Sequence, residues 1–165
     1  MRVLGIDPGY DRCGAAVLCL ADGRETIIFS TCIITDRTAT LPDRLLTIGT
    51  TLETIIEREK PDCLAIETLY FNKNITTGIG VAQARGVALY LAKKHQLTVY
   101  EYGPQEVKVA VTGYGASDKP AVYAMIKRLI RDIPEKALDD EYDAIAVGIT
   151  ALAHVGRNGG VPLAN

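Results

Sequence analysis

The sequence predicts an α/β fold, a mixed five-stranded sheet with helices on both faces. Two observations predict it. Short apolar segments with strand character alternate with longer helical segments, and an Asp22-Gly23 turn joins two early strands into a hairpin. The hairpin makes the first three strands antiparallel, whereas the later strand-helix-strand units require parallel pairing through right-handed crossovers. The first strand is the most uniformly apolar, so we expect it at the centre of the sheet.

The amino-terminal part predicts three strands and a long helix. Residues 2–7 form a short apolar run, which is typical of a buried strand. Residues 14–20 and 25–35 are the two arms of the hairpin. Apolar residues then recur at helical spacing through residues 41–59, and Pro61 ends that helix.

The remaining chain predicts a strand, a helix, a strand and three helices. The second long helix is predicted despite three glycines that weaken it intrinsically. Pro104 suits the first turn of the next helix, and residues 112–117 predict a glycine-containing loop. The predicted elements are a strand at 63–67, a helix at 74–95, a strand at 98–102, and helices at 104–111, 119–131 and 140–154.

Length and composition predict one domain, residues 1–156, followed by a loose tail at residues 157–165. No apolar run reaches membrane-spanning length, so no membrane partner is expected. The chain begins directly with a strand-like segment, which leaves no room for a signal peptide. The four cysteines lack CxxC spacing and are typical of core residues in a reducing cytosol. We therefore expect a cytoplasmic protein.

The charge distribution contains a local positive segment. The net charge of −2 gives no overall signature of nucleic-acid binding. Residues 68–100, however, contain no Asp or Glu but include Lys73 and Arg85, as well as Lys93 and Lys94. Such a face can hold a polyanion, although a helix with solvated charges is the alternative.

Four acidic residues in separate settings predict a metal site. Asp7 and Glu67 each end an apolar run, and Asp140 and Asp143 lie one helical turn apart before a third apolar stretch. Buried carboxylates at strand ends are costly and mutually repulsive without a cation. Hard cations such as Mg²⁺ prefer oxygen ligands, and two of them form the clamp used for phosphodiester cleavage.

Each acid also has a purely structural alternative. Asp7 begins an Asp-Pro-Gly turn, which backbone geometry alone can explain. Acids at a helix start are favoured by the dipole and can cap the helix. Asp139 also shares a helix face with Asp143, at i, i+4, so the residue pattern leaves Asp139 and Asp140 as rival ligands.

The order of these acids on a mixed sheet resembles the ribonuclease H-like nucleases, and within them the RuvC family of Holliday junction resolvases. The resemblance covers the chain from Leu4 to about His154. Its glutamine-alanine-arginine-glycine and valine-lysine elements are not shared by ribonuclease H-like folds in general. The matching stretches are residues 4–9, 65–67, 73–74, 82–87, 105–108, 113–116 followed by Lys119, and 140–150.

This resemblance implies a set of catalytic residues and a cofactor. The family spaces its last two acids by three residues, which favours Asp140 over Asp139. Two Mg²⁺ ions per active site are implied, with Mn²⁺ able to substitute. Two lysines would face the scissile strand and support the transition state electrostatically. The implied residues are Asp7, Glu67, Asp140 and Asp143 as metal ligands, with Lys108 and Lys119 beside them.

The resemblance also implies partners. The substrate would be four-way junction DNA, and Tyr70, with Phe71 as the competing candidate, would stack on a base near the branch point. A C₂ homodimer suits a four-way junction, because each subunit can nick one of two symmetric strands. A branch-migration helicase complex is a further family expectation. The small residues expected at the dimer interface are Gly78, Gly80, Ala82 and Ala84.

Two features depart from the family pattern. The tail carries no charge, so nonspecific DNA affinity is expected to be lower. Asp11 places an extra acid near Asp7, where it would repel phosphate or tune the metals. The competing hypotheses are a related nuclease acting on RNA or RNA–DNA hybrids, and a catalytically silent junction-binding module. An actin-like kinase fragment is a third, but the chain is too short for two lobes.

Overall fold

The computed structural model describes residues 1–69, 75–130, 133–134 and 137–158. The predicted tail from residue 159 onward lies outside these ranges. Five strands and five helices follow one another along the described chain. They are β1 (Arg2–Asp7), β2 (Arg12–Ala21), β3 (Arg24–Ile34), α1 (Leu41–Glu59), β4 (Cys63–Glu67), α2 (Ile75–Lys94), β5 (Thr98–Tyr102), α3 (Pro104–Thr112), α4 (Lys119–Leu129) and α5 (Asp139–Asn158).

The sheet has the predicted mixed topology. Its strand order is β3-β2-β1-β4-β5, so β1 is central as expected. β2 pairs antiparallel with both β1 and β3, and β4 pairs parallel with both β1 and β5. The predicted hairpin and the predicted parallel pairing of the later strands are confirmed.

Local sequence signals explain where the helices begin and end. The hydroxyl of Thr40 accepts a hydrogen bond from the Asp43 backbone N–H at 3.4 Å, which caps α1. The Asp118 side chain accepts one from the Ala121 N–H at 2.9 Å and caps α4. α4 ends two residues earlier than predicted because Ile130 adopts an extended conformation, and α5 continues four residues beyond its predicted end.

The sheet separates two hydrophobic cores. One face packs against α3, α4 and α5, and the other against α1 and α2. β1 contributes to both, with Val3 on the first face and Leu4 and Ile6 on the second. In the part of the chain that the structure describes, no helix is long and apolar enough to cross a membrane.

Glycines let α5 lie directly on the sheet. A Cβ added at Gly5 would overlap the carbonyl oxygen of Ala144, and one added at Gly14 would overlap that of Asp140. These obstacles are helix backbone, which cannot rotate aside as a flexible side chain does. The first turn of α5 is therefore held against β1 and β2, close to the end of β1.

Candidate metal centre and its surroundings

Three elements bring the predicted acids to one edge of the sheet. Asp7 ends β1 and Glu67 ends β4, and the parallel register pairs Ile6 with Ile66 directly before them. Gly14, the partner of Asp7 on β2, contacts the backbone of Asp140. The carboxyl ends of parallel strands are where α/β proteins place their sites.

Three acids in this cluster have a raised pKa. Burial raises the pKa of Asp7 from 3.8 to about 7, and the charges of Asp143, Glu67 and Asp140 contribute in that order. Burial, followed by the charge of Asp143, raises the pKa of Glu67. The pKa of Asp143 is also raised, chiefly by burial. Carboxylates that are desolvated and repel one another in this way are stabilised by a bound cation.

Two of the acids share a cleft with the two predicted lysines. The Lys119 ammonium lies 2.8 Å from Asp143 Oδ2. The charge of Lys108 lowers the pKa of Glu67, although burial still keeps that pKa above its ordinary value. The hydroxyl of Tyr123 donates to Asp143 Oδ1 at 3.3 Å. The cleft is lined by Glu67, Pro104, Val107, Lys108, Lys119, Val122, Asp143, Ala146 and Val147.

The acidic residues at the start of α5 have different partners. Asp140 acts electrostatically on Asp7, and its Oδ2 lies 3.0 Å from the Arg12 guanidinium. Glu141 is buried and accepts a hydrogen bond from Ser30 at 2.5 Å. Asp139 is not among the main contributors to the pKa of Asp7. Asp140 is thus close enough for its charge to act on Asp7, and its choice over Asp139 as a metal ligand stays a prediction.

The predicted DNA contacts fall into two groups. Tyr70, Phe71 and Lys73 lie outside the described residues. Arg85 is half-buried and forms an ion pair with Glu101, which joins α2 to β5. Its role in DNA binding stays a prediction, and its charge is already partly neutralised within the protein.

Asp11 does not present the bare negative charge expected from the sequence. It pairs with Arg44 and lies 3.2 Å from Arg37. Its pKa is lowered, first by the hydrogen bond from Arg44. The extra acid near Asp7 is thus neutralised by neighbouring arginines.

Sequence reasoning missed three features. Arg12 contacts Asp140 and Tyr123 contacts Asp143, and each pair is separated by at least 20 residues along the chain. The third is a group formed by Glu53, Glu57 and His95, whose potential ligand atoms all lie within 4.8 Å of one another. Only the i, i+4 spacing of the two glutamates was visible in the sequence.

The group at Glu53 is separate from the predicted centre. It lies on α1 and at the end of α2, on the face of the sheet opposite α5. The Glu53 carboxylate lies 2.8 Å from the Lys94 ammonium and 3.0 Å from His95 Nε2. An ion-pair network therefore explains why these side chains lie together. Among the described residues, no three of the predicted acids bring their ligand atoms within 4.8 Å of one another as this group does.

The predicted centre nevertheless has the chemistry of a site for hard divalent cations. Its candidate ligands are all carboxylates, from Asp7, Glu67, Asp140 and Asp143. Oxygen ligands of this kind suit Mg²⁺ and Mn²⁺. The pKa of three of them is raised first by burial and then by the negative charge of neighbouring acids.

Comparison with known proteins identifies the family. The family model for crossover junction endodeoxyribonuclease RuvC matches residues 3–151. The chain belongs to the RuvC family. The RuvC protein of Petrotoga mobilis is 42% identical over 154 residues, covering 93% of each chain. That of Finegoldia magna is 41% identical over 157 residues, covering 94% of this chain and 93% of the relative.

Solved RuvC structures share the whole architecture. Thermus thermophilus RuvC in complex with a Holliday junction substrate superimposes with a TM-score of 0.90 at 27% identity, covering 99% of each chain. The yeast mitochondrial Holliday junction resolvase Ydc2, at 15% identity and a TM-score of 0.64, shares the fold. The ribonuclease H-like fold predicted from the sequence is confirmed.

Proposed function

We propose that this protein is a metal-dependent endonuclease that resolves four-way DNA junctions by paired symmetric nicks, in recombination and repair. The observation that carries the proposal is the convergence of strand-end and helical carboxylates with two lysines at one sheet edge. Asp7, Glu67 and Asp143 come from three different elements, and the charge of Asp143 contributes to the raised pKa of both Asp7 and Glu67. Membership of the RuvC family supports the same activity.

The carboxylates of Asp7, Glu67, Asp140 and Asp143 would hold two Mg²⁺ ions, for which Mn²⁺ is expected to substitute. When bound, such a pair supplies an activated water and stabilises the leaving oxygen of a phosphodiester. Partial burial of these side chains reduces their contact with bulk water and strengthens electrostatic interactions within the cleft.

The lysines complete the site from the opposite wall of the cleft. Lys119 lies at the first position of α4 and is held by Asp143, so it is already oriented in the free protein. Lys108 lines the same cleft from α3. Their ammonium groups would bind the phosphate and stabilise negative charge that develops during cleavage.

A cleavage assay on matched substrates tests the function. Labelled four-way junction, linear duplex, single-stranded RNA and RNA–DNA hybrid are incubated with the protein in Mg²⁺, with a chelated sample as control. We expect symmetric nicks in the junction alone and none after chelation. Cutting of RNA or hybrid instead would assign the related nuclease function, and binding without cutting would assign the silent module.

We further propose a homodimer, formed through the exposed side of α2. Gly80 and Ala84, which were expected at the dimer interface, pack within their own chain instead. A Cβ at Gly80 would meet the Tyr10 ring, and Ala84 is buried in the hydrophobic core. The exposed positions repeat at helical spacing on one side. They are Ile79, Gln83, Gly86 and Tyr90.

Substitution Tyr90→Asp is expected to dissociate this dimer. The Tyr90 side chain is 66% exposed and lies on the same side of α2 as Ile79, which is 52% exposed, so the two offer apolar surface for a partner to cover. A buried carboxylate there would cost several kcal/mol of association energy, roughly a hundredfold or more in dimer affinity. Analytical ultracentrifugation measures the shift from dimer to monomer. Tyr114→Asp is the matched control, because Tyr114 is 67% exposed and lies on the loop between α3 and α4. A dimer that persists in Tyr90→Asp contradicts this interface.

A further inference from the structure

Two of the four proposed metal ligands are already paired with a cation of the protein, Asp143 with Lys119 and Asp140 with Arg12. Arg12 Nε lies 3.0 Å from Asp140 Oδ2. The carboxylate is 19% exposed and the arginine 44% exposed, so the pair lies at the mouth of the site. The Cys32 thiol approaches the same oxygen at 3.9 Å. A divalent ion that uses Asp140 therefore meets a competitor.

The backbone fixes Arg12 in this position. Arg12 is the first residue of β2, directly after the turn that follows Asp7. A Cβ at Gly9 would overlap the carbonyl oxygen of Arg12, so the turn folds tightly over this residue. Two residues later, Gly14 touches the Asp140 backbone. The two partners are thus held together by their main chains, independently of the ion pair.

The neighbouring charges leave Arg12 free to pair with Asp140. Asp11 is the adjacent acid, but Arg44 and Arg37 already engage it. Arg44 is buried and is itself fixed at 3.0 Å from both the Thr35 hydroxyl and the Tyr10 carbonyl. Since that network is complete without Arg12, its guanidinium turns to the acidic cluster.

We propose that Arg12 is an internal counter-cation that competes with divalent metal for Asp140 and so raises the metal concentration that the protein requires. This inference rests on the metal-dependent function proposed above. In the metal-free protein, Arg12 neutralises part of the clustered negative charge. An ion that binds Asp140 Oδ2 displaces the guanidinium, which has solvent on its exposed side into which it can move. An ion that binds Oδ1 instead is repelled by the neighbouring positive charge.

Calorimetric titration of the metal-free protein with Mn²⁺, without DNA, tests the inference. Arg12→Gln removes the charge, and Arg37→Gln is the matched control because Arg37 lies in the same groove but pairs with Asp11. We expect Arg12→Gln to bind Mn²⁺ roughly three- to tenfold more tightly, as for loss of a partly exposed ion pair. Arg37→Gln should match the wild type.

Thermal unfolding with and without Mn²⁺ distinguishes competition with the metal from a purely structural role of Arg12. Without metal, Arg12→Gln should unfold at a lower temperature than wild type, and the difference should disappear at saturating Mn²⁺. Arg12→Met, which keeps the apolar length, should tighten Mn²⁺ binding like Arg12→Gln, and Arg12→Lys should stay nearer the wild type. Unchanged or weaker Mn²⁺ binding by both uncharged variants overturns the inference. A wild type that takes up no Mn²⁺ would instead overturn the proposed metal dependence itself.

Discussion

Replacing Asp7 with asparagine is expected to abolish junction cleavage while making the metal-free protein harder to unfold. Cleavage should fall by at least about 10³-fold, because Asp7 is a central ligand of the proposed site and asparagine lacks the charge that a divalent ion requires. Stability should rise because the charge of the partly buried Asp7 is desolvated and repelled by neighbouring acids, and the neutral amide removes both costs. A gain in one property and a loss in the other is the expected signature of a functional charge.

The pH dependence of stability gives the sign of this effect. The pKa of Asp7 is about 7 in the folded protein against a reference value of 3.8, so the native state binds the proton more tightly. The destabilisation of the folded protein by the ionised Asp7 carboxylate is therefore fully present above about pH 7. It is relieved as the pH falls toward 4 and the carboxylate takes up a proton. The free energy of unfolding at pH 8 should therefore rise by roughly 2–4 kcal/mol in Asp7→Asn, and its pH dependence should flatten.

Chemical denaturation of the metal-free protein at pH 8 and at pH 5.5 measures both effects. Asp36→Asn is the control of opposite sign, because hydrogen bonds from Thr38 lower the pKa of the exposed Asp36. That substitution should leave stability unchanged or slightly reduced at pH 8. An Asp7→Asn protein less stable than wild type at pH 8 would contradict the repulsive cluster, and retained cleavage would contradict the role of Asp7 as a ligand.

The sequence predicted the elements and the acidic cluster because both depend on local patterns. Apolar runs ending in Asp7 and Glu67 locate two strand ends, and the sheet order follows from the hairpin and the crossovers. Asp140 and Asp143 are placed by a helix start. Each of these signals lies within a few residues of the side chain that it positions.

The contacts that adjust the site required the structure. Arg12 meets Asp140 across 128 positions of sequence, and nothing near either residue indicates the pairing. Similarly, small residues on α2 indicated close packing, but not whether the neighbour belongs to the same chain. Gly80 packs against Tyr10 of its own chain, a contact that helical periodicity cannot reveal.

Substitution Gly14→Ala is expected to damage stability and cleavage together. A Cβ at this position would coincide with the carbonyl oxygen of Asp140, which belongs to the backbone of α5. Because neither β2 nor the helix can yield locally, the first turn of α5 must move away from the sheet. We expect a loss of roughly 3 kcal/mol or more in the free energy of unfolding, at the upper end for overpacking.

The same displacement moves Asp140 and Asp143 relative to Asp7, so cleavage by the folded fraction should fall by about 10²-fold. Gly49→Ala on α1 is the matched control, since its Cβ would meet only the Val87 side chain, at 3.1 Å. Its stability should change by no more than about 1 kcal/mol and its cleavage not at all. Denaturation and single-turnover cleavage at saturating metal measure the two effects. If Gly14→Ala unfolds like the wild type and cuts at the same rate, α5 is not held by this contact. If it is destabilised but cuts normally, the close approach supports the fold without setting the positions of the metal ligands.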